Sequence, residues 1–412
     1  MTTLFPNPSQ TSLPLNPTPP PTPSLNLDSS TFVEIASRGP GFSPLTFDDP
    51  TFYGGTRLDN VTIFNPNDQT YKKFNNVLTR TDWNGQQSAY YIHRLLKKCI
   101  YGKVTLAVVL VPHEVQPANP TRDPNAPPLS QSNNFSINNV VWRFTTEFVA
   151  IKQMLWGKVR EFRKRNHQED PIKEISAMQT LTSDGTITTA DSNICLPIET
   201  LSDDRYIYCI MPNLRNGELF DHVARGRFSE DRARFWFRQI IQALIRLQQK
   251  GICHRDMSLE NVMVDDNQCI VIDFGMCLRV PYNSGGQRLL MLPQGQCGKF
   301  NYMSPEVFQN RESFDGFAID IWACGVILFA MTMGVPAFDR PIDSDPRFIA
   351  VKNGQLLKMV RNWGLVMSDS LGDLIQKMLM VNPNQRICLK DIIQHEWFSD
   401  PIDEPPPPPP TN

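Results

Sequence analysis

Apolar residues follow two different rhythms along this chain. Between residues 102 and 154 they come in short β-branched runs, and GKVTLAVVLV (102–111) and EFVAIKQM (147–154) predict strands. Past about residue 170 the spacing lengthens to three and four. SEDRARFWFRQIIQALIRLQQKG carries apolar side chains at 233, 236, 237, 240, 241, 244 and 247, one stripe of a helix that buries a core face. Ser229 predicts its N-cap, Glu230 and Asp231 suit its first turn, and Gly251 stops it. Farther on, IWACGVILFAMTMGVPAF (321–338) is almost wholly apolar and long enough to cross a bilayer. It starts behind Asp320, holds Gly325 and Gly334 and meets Pro336, which predicts instead a helix buried on all sides within a large lobe.

Polar and proline-rich stretches separate these runs. Residues 1 to about 28 carry eight prolines among Ser, Thr and Asn, too little apolar surface to fold, and predict a disordered tail. Residues 30–87 mix aromatic and glycine-rich pieces and allow no assignment of fold. Residues 112–139, with six prolines, read as a long exposed insertion. The chain ends in DEPPPPPPTN, a polyproline II tail that suits an SH3-, WW- or profilin-like binder as well as a solvated spacer.

Charge and cysteine content narrow the class. With 412 residues and a formal net charge of −2, the chain has no global attraction to nucleic acid or anionic membrane. The nine cysteines form no CxxC pair and are odd in number, so neither a zinc site nor a disulfide framework is expected. No signal peptide opens the sequence, and position 2 is not the glycine that myristoylation needs. A cytoplasmic protein, or a nuclear one, with reduced thiols is the expectation. The basic run KVREFRKR (158–165) reads first as a solvated loop and helix face before Glu174 and second as a nuclear-import or nucleic-acid patch.

The densest chemistry lies in CHRDMSLENVMVDDNQCIVIDFG. A loop, a strand at 262–264, a turn at DDNQ and a strand at 269–272 would bring Asp256, Asn261 and Asp273 to one edge. The oxygens of Asn261 and Asp273 suit Mg²⁺, and Asp256 can accept the proton of an attacking hydroxyl.

Here the chain resembles the eukaryotic protein kinase family, over roughly residues 88–398, with a layout (GELFDHV) similar to its calcium/calmodulin-dependent group. The resemblance rests on several motifs in family order: VAIK, IKEISAMQTL, HRDMSLEN, DFG, YMSPE, DIWACGVIL and NPNQRI. It implies an α+β, bilobal fold, with a small β-rich N-lobe bearing one main helix and a large, mostly helical C-lobe. The N-lobe would span about 88–211 with the 112–139 insertion, the C-lobe about 215–398, followed by the tail at 399–412. It also implies that Lys152 grips the ATP phosphates and pairs with Glu174, that Asp256 is the base, and that Asn261 and Asp273 hold Mg²⁺. Asp320 would cap the catalytic-loop backbone, and Glu306 would pair with Arg386. Met211, Pro212 and Leu214 would meet adenine, together with Leu96, Gly102, Val104, Ala150 and Met263. Glu218 would reach the ribose or a basic substrate side chain.

Three departures stand out. The family's G-x-G-x-x-G aligns with KKCIYG, so Lys97 and Cys99 replace glycines and only Gly102 persists, which predicts weaker nucleotide affinity. The lysine expected two residues after Asp256 is Ser258, and its usual threonine partner is Lys299, a swap that would move the cation to the opposite wall. The activation segment, 276–303, offers Tyr282 and Ser284 as hydroxyls ahead of its closing motif, while the usual phosphorylation position is Gly295. Activity independent of phosphorylation at that position is expected, although Arg255 is present to read such a phosphate. Glu218 and Glu260 imply a basic serine/threonine substrate. A monomeric Mg·ATP-dependent protein kinase is the leading expectation. A weak or inactive nucleotide-binding pseudokinase that docks partners through its proline tails is the alternative.

Overall fold

A computed structural model describes residues 41–81, 87–113, 140–183 and 188–401. The N-terminal tail, nearly all of the 112–139 insertion and the polyproline run therefore lie outside the described residues. The chain divides into two compact units. One holds residues 47–214 with 273–276; the other holds the remaining described residues.

The first unit is built on a ten-stranded sheet. Its strands begin with β1 (Tyr53–Gly54), β2 (Thr56–Leu58), β3 (Val61–Asn65), β4 (Thr70–Phe74) and β5 (Val77–Thr81). These are followed by β6 (Gln87–Lys98), β7 (Gly102–Pro112) and β8 (Trp142–Leu155), and later by β9 (Glu199–Ser202) and β10 (Tyr206–Pro212). The order β1-β9-β10-β8-β7-β6-β5-β2 leaves β3 and β4 as a hairpin on the early part of β8. The boundary expected near residue 88 is thus not structural: residues 53–81 are strands of the same sheet. Strand alternation sorts the two faces. Ala107, Val149, Ile151, Tyr208 and Ile210 point into a core shared with Leu78 of β5 and Leu201 of β9. The opposite face carries Val104 across from Lys152, and Ala150 across from Met211.

Three helices complete this unit: α1 (Trp156–Lys164), α2 (Pro171–Thr182) and α3 (Thr189–Ser192). The basic run falls on α1, whose Lys158, Arg160, Arg163 and Lys164 are exposed, the solvated face expected of it. Asp170 starts α2 by accepting the Ile172 N–H at 2.9 Å, with Pro171 at the first helical position, where a missing N–H costs nothing.

The second unit is mostly helical. After α4 (Leu219–Arg225) comes α5 (Glu230–Gln249), capped by Ser229, which accepts the Arg232 N–H at 3.3 Å. All seven stripe residues named above are buried, and Gly251 closes the helix at φ 67°. Two small ribbons follow: β11 (Ile252–Cys253) pairs with β14 (Leu278–Arg279), and β12 (Val262–Asp265) with β13 (Gln268–Val271). Then come α6 (Pro305–Gln309) and α7 (Gly316–Met333). The apolar helix α7 is long enough to cross a membrane by composition, yet every residue of it is buried inside the unit. It begins five residues earlier than its apolar run, capped by Asp315, and ends at Gly334. Around it lie α8 (Pro346–Lys352), α9 (Leu356–Asn362), α10 (Asp369–Met378), α11 (Leu389–Gln394) and α12 (Glu396–Ser399).

Candidate active site

In the sheet unit, Lys152 leaves the last third of β8 and Glu174 the first turn of α2. Lys152 Nζ donates to both Glu174 oxygens, at 2.8 and 2.6 Å, and both residues are largely buried. Burial alone would pull the ammonium toward neutrality; the carboxylates of Glu174 and Asp273 outweigh it and hold the Lys152 pKa above its ordinary value. Burial raises Glu174 against the opposing pull of Lys152. Asp273 sits at φ 66°, a strained backbone position of the kind that persists at functional sites. Just after it, Gly275 O accepts the Asp170 N–H at 3.1 Å, which ties the DFG segment to the start of α2.

The glycine-poor turn is closed on itself. Cys99 N–H donates to Gly102 O at 2.9 Å and Gly102 N–H to Cys99 O at 3.2 Å, so these amides are spent within the turn. A Cβ at Gly102 would overlap the Gln153 carbonyl, which is why this glycine alone has no substitute. Leu96 lies in a bulge of β6 between paired neighbours. Val104 (β7), Ala150 (β8), Met211 and Pro212 (β10) line the strands next to Lys152, and Leu214 follows β10.

The helical unit holds the HRD loop. Asp320 of α7 accepts the N–H groups of His254 and Arg255 at 2.7 and 2.8 Å. Burial raises its pKa to about 6, while those two N–H donors and the nearby positive charge oppose the rise. His254 Nε2 donates to Ile272 O at 3.0 Å, and its Nδ1 accepts the Asp256 N–H, which fixes the tautomer. Asn261 Nδ2 donates to the Asp256 carboxylate at 2.8 Å and to its carbonyl at 2.7 Å. Its nitrogen is committed there, which leaves the amide oxygen as ligand atom for a hard cation. Among the described residues no cluster of three or more His, Cys, Asp or Glu side chains could hold a metal ion. The Asn261 amide oxygen and the Asp273 carboxylate are each hard oxygen donors of the kind that suits Mg²⁺, which keeps waters and shares phosphate oxygens.

The inverted pair is in contact: Lys299 Nζ donates to the buried Ser258 Oγ at 2.8 Å and lies 3.8 Å from Glu260. Sequence reasoning missed Gly298. At φ 79° its Cα faces Asp256, and a Cβ there would come within 2.9 Å of Oδ1. The glycine before Lys299 was the available signal. Arg386 forms a two-pronged bridge to Glu306, at 2.7 and 3.1 Å. Glu218 and Met263 meet in a β-bridge at the start of α4.

The protein kinase domain model matches residues 135–398. The chain belongs to the protein kinase family. Relatives of this kinase include CBL-interacting protein kinase 1 of Oryza sativa subsp. japonica, 38% identical over 205 residues, 48% of this chain and 41% of the relative. CBL-interacting serine/threonine-protein kinase 15 of Arabidopsis thaliana is 33% identical over 261 residues, 63% and 57% of the two chains. Serine/threonine-protein kinase SRK2C of Arabidopsis thaliana is 34% identical over 207 residues, covering 48% and 57%. The kinase spans about half the length of the curated relatives it matches.

Proposed function

We propose that this kinase transfers the γ-phosphoryl group of ATP to serine or threonine hydroxyls of protein substrates. The buried Lys152–Glu174 pair, closed at 2.6 Å, carries the reading: a fixed cation on the sheet is what phosphate gripping requires, and burying it without such a use would only cost stability. Leu96, Gly102, Val104, Ala150, Met211, the Pro212 carbonyl and the Leu214 N–H serve the nucleotide in the sheet unit, and Met263 and Glu218 keep the roles that the family resemblance implies for them. The Cys99 and Gly102 amides are spent within the turn and side chains stand where the family has glycines, so phosphate gripping falls more heavily on Lys152 and nucleotide affinity is weakened. Asp256, oriented by Asn261, accepts the hydroxyl proton. Lys299, steered by Ser258, supplies the cation that a catalytic-loop lysine would otherwise bring. Asn261 and Asp273 would hold Mg²⁺, which neutralises charge on the phosphates when bound.

Basic side chains before the acceptor are the favoured substrate feature. Glu218 and Glu260 are the carboxylates that would meet them, and Lys299 lies 3.8 Å from Glu260. The protein substrates, a monomeric state, a cytoplasmic location and a binder for the polyproline tail belong to this proposal. Phosphoryl transfer from Mg·ATP to an arrayed set of Ser/Thr peptides tests it, with Asp256→Asn alongside. Signal on peptides with arginine before the acceptor, reduced by about a hundredfold or more in the variant, is expected. Equal signal from both folded proteins would return the chain to the pseudokinase reading.

A further inference from the structure

Residues 41–54 have no counterpart among the kinase motifs, yet they are hydrogen-bonded to two functional elements. In the helical unit, the Phe42 N–H donates to Leu290 O and the Leu292 N–H to Phe42 O, both at 2.9 Å. This makes Phe42 the parallel partner of Met291, whose other edge is paired with Phe314. Leu45 N–H donates to Arg279 O at 2.9 Å, and Arg279 Nη1 to Thr46 O at 3.2 Å. Leu45 thereby adds a bridge to the β11–β14 ribbon, whose strand β11 runs directly into His254. At Gly41 a Cβ would overlap Ser313 Oγ, so the approach needs glycine. In the sheet unit, Gln179 of α2 accepts the Thr51 N–H at 2.9 Å and donates to Thr51 O at 2.8 Å, while Thr200 donates to the same carbonyl. Tyr53 and Gly54 then form β1 along β9. One stretch of chain thus bonds to the activation segment at one end and, at the other, to the helix that carries Glu174.

The activation segment has another gap that this stretch fills. Its usual phosphorylation position is Gly295, and Arg255 donates to the Gly295 carbonyl at 3.4 Å while its guanidinium lies 5.9 Å from the centre of the Phe314 ring. Phe314, Met291 and Phe42 are successive partners, so the order a phosphate would impose is reached by backbone pairing. We propose that residues 41–54 are an intrachain strap that positions the activation segment and the Glu174 helix in place of activation-segment phosphorylation. The proposal rests on the kinase reading; the strap residues are positioning residues and touch no substrate.

The bonds run through backbone amides, and Phe42 and Leu45 are 43% and 45% exposed, so proline and alanine separate bond from side chain. The test uses the full chain with Phe42→Pro and Leu45→Pro together, against Phe42→Ala and Leu45→Ala together. Peptide phosphorylation and deuterium uptake at the Leu292 amide are read in parallel. The proline pair should lose about tenfold to a hundredfold in kcat/KM through misplacement of the segment. Its Leu292 amide should exchange faster, while the alanine pair keeps both readouts. Faster exchange with unchanged kcat/KM would reduce the strap to a cover and overturn the proposal, as would unchanged exchange in the proline pair. Should the proline pair not fold, Gln179→Ala at the second anchor is expected to lower kcat/KM about threefold with Leu292 exchange unaltered; full activity there overturns the proposal too. Wild type no more active than Asp256→Asn would overturn the kinase reading, whereas the exchange data report on docking alone.

Discussion

Lys152 and Lys299 present the same ammonium in opposite settings. The side chain of Lys152 is 12% exposed and its partner is a carboxylate that is itself 6% exposed. Lys299 is 39% exposed, and its nearest partner is a neutral hydroxyl, with Glu260 a full ångström farther away. A buried ion pair is costly to break, because the survivor keeps a charge out of water; a half-exposed contact is worth little to folding and is screened by salt. The first lysine is therefore part of the sheet unit's structure as well as of the chemistry proposed for it. The second can be removed or exchanged without disturbing the fold, which is how a cation can change sides of a loop.

Glu174→Gln tests the first setting. It takes away the carboxylate bonded to the buried Lys152 ammonium and leaves Asp273 to compensate it from farther away, so unfolding free energy should fall by about 3–5 kcal/mol. Peptide phosphorylation should fall by about a hundredfold or more as the cation loses its place. Lys299→Ala tests the second: turnover should drop by about tenfold, with the melting temperature unmoved. A stability loss in Lys299→Ala as large as that in Glu174→Gln would erase the contrast, and unchanged turnover would strip Lys299 of its role. The sharper variant is Ser258→Lys with Lys299→Thr, which restores the usual family arrangement. It should recover most of the activity that Lys299→Ala loses.

The positions of both lysines were legible in the sequence because motif spacing fixes them: VAIK by its strand, GKFNYMSPE by its distance from the Pro305-Glu306 pair. The stripe of α5 and the burial of α7 were legible from periodicity. The region before residue 88 was not. Its strands are two to five residues long, and although Val61, Ile63 and Asn65 alternate into the interior, so short a run does not single out a partner. The strap is harder still, since it binds through main-chain groups while Phe42 and Leu45 stay half exposed; backbone pairing leaves no side-chain signature. The buried Arg288–Asp315 bridge, 2.8 Å across 27 positions, was hidden for a different reason: neither residue carries a motif.

The smallest effect concerns pH, and it asks whether the region of Lys299 is tuned separately from the buried pair. Asp320, which holds the loop ahead of Asp256 through two N–H groups, has its pKa pushed from 3.8 to about 6, chiefly by burial. A carboxyl raised on folding binds more protons in the folded state than in the unfolded one between these two values. Its contribution to stability is therefore present at the acid end and is lost as pH rises through that window. Activity should run the other way, because only the carboxylate accepts both amides with full strength. Turnover is expected to fall severalfold from pH 7.5 to 5.5, with a midpoint near 6 set by Asp320. Asp320→Asn should show the lower turnover throughout and lose that midpoint. The melting-temperature gap between wild type and Asp320→Asn should shift in favour of wild type as pH is lowered. An acid limb that keeps its midpoint in Asp320→Asn would place the titration on another group and strip Asp320 of this role.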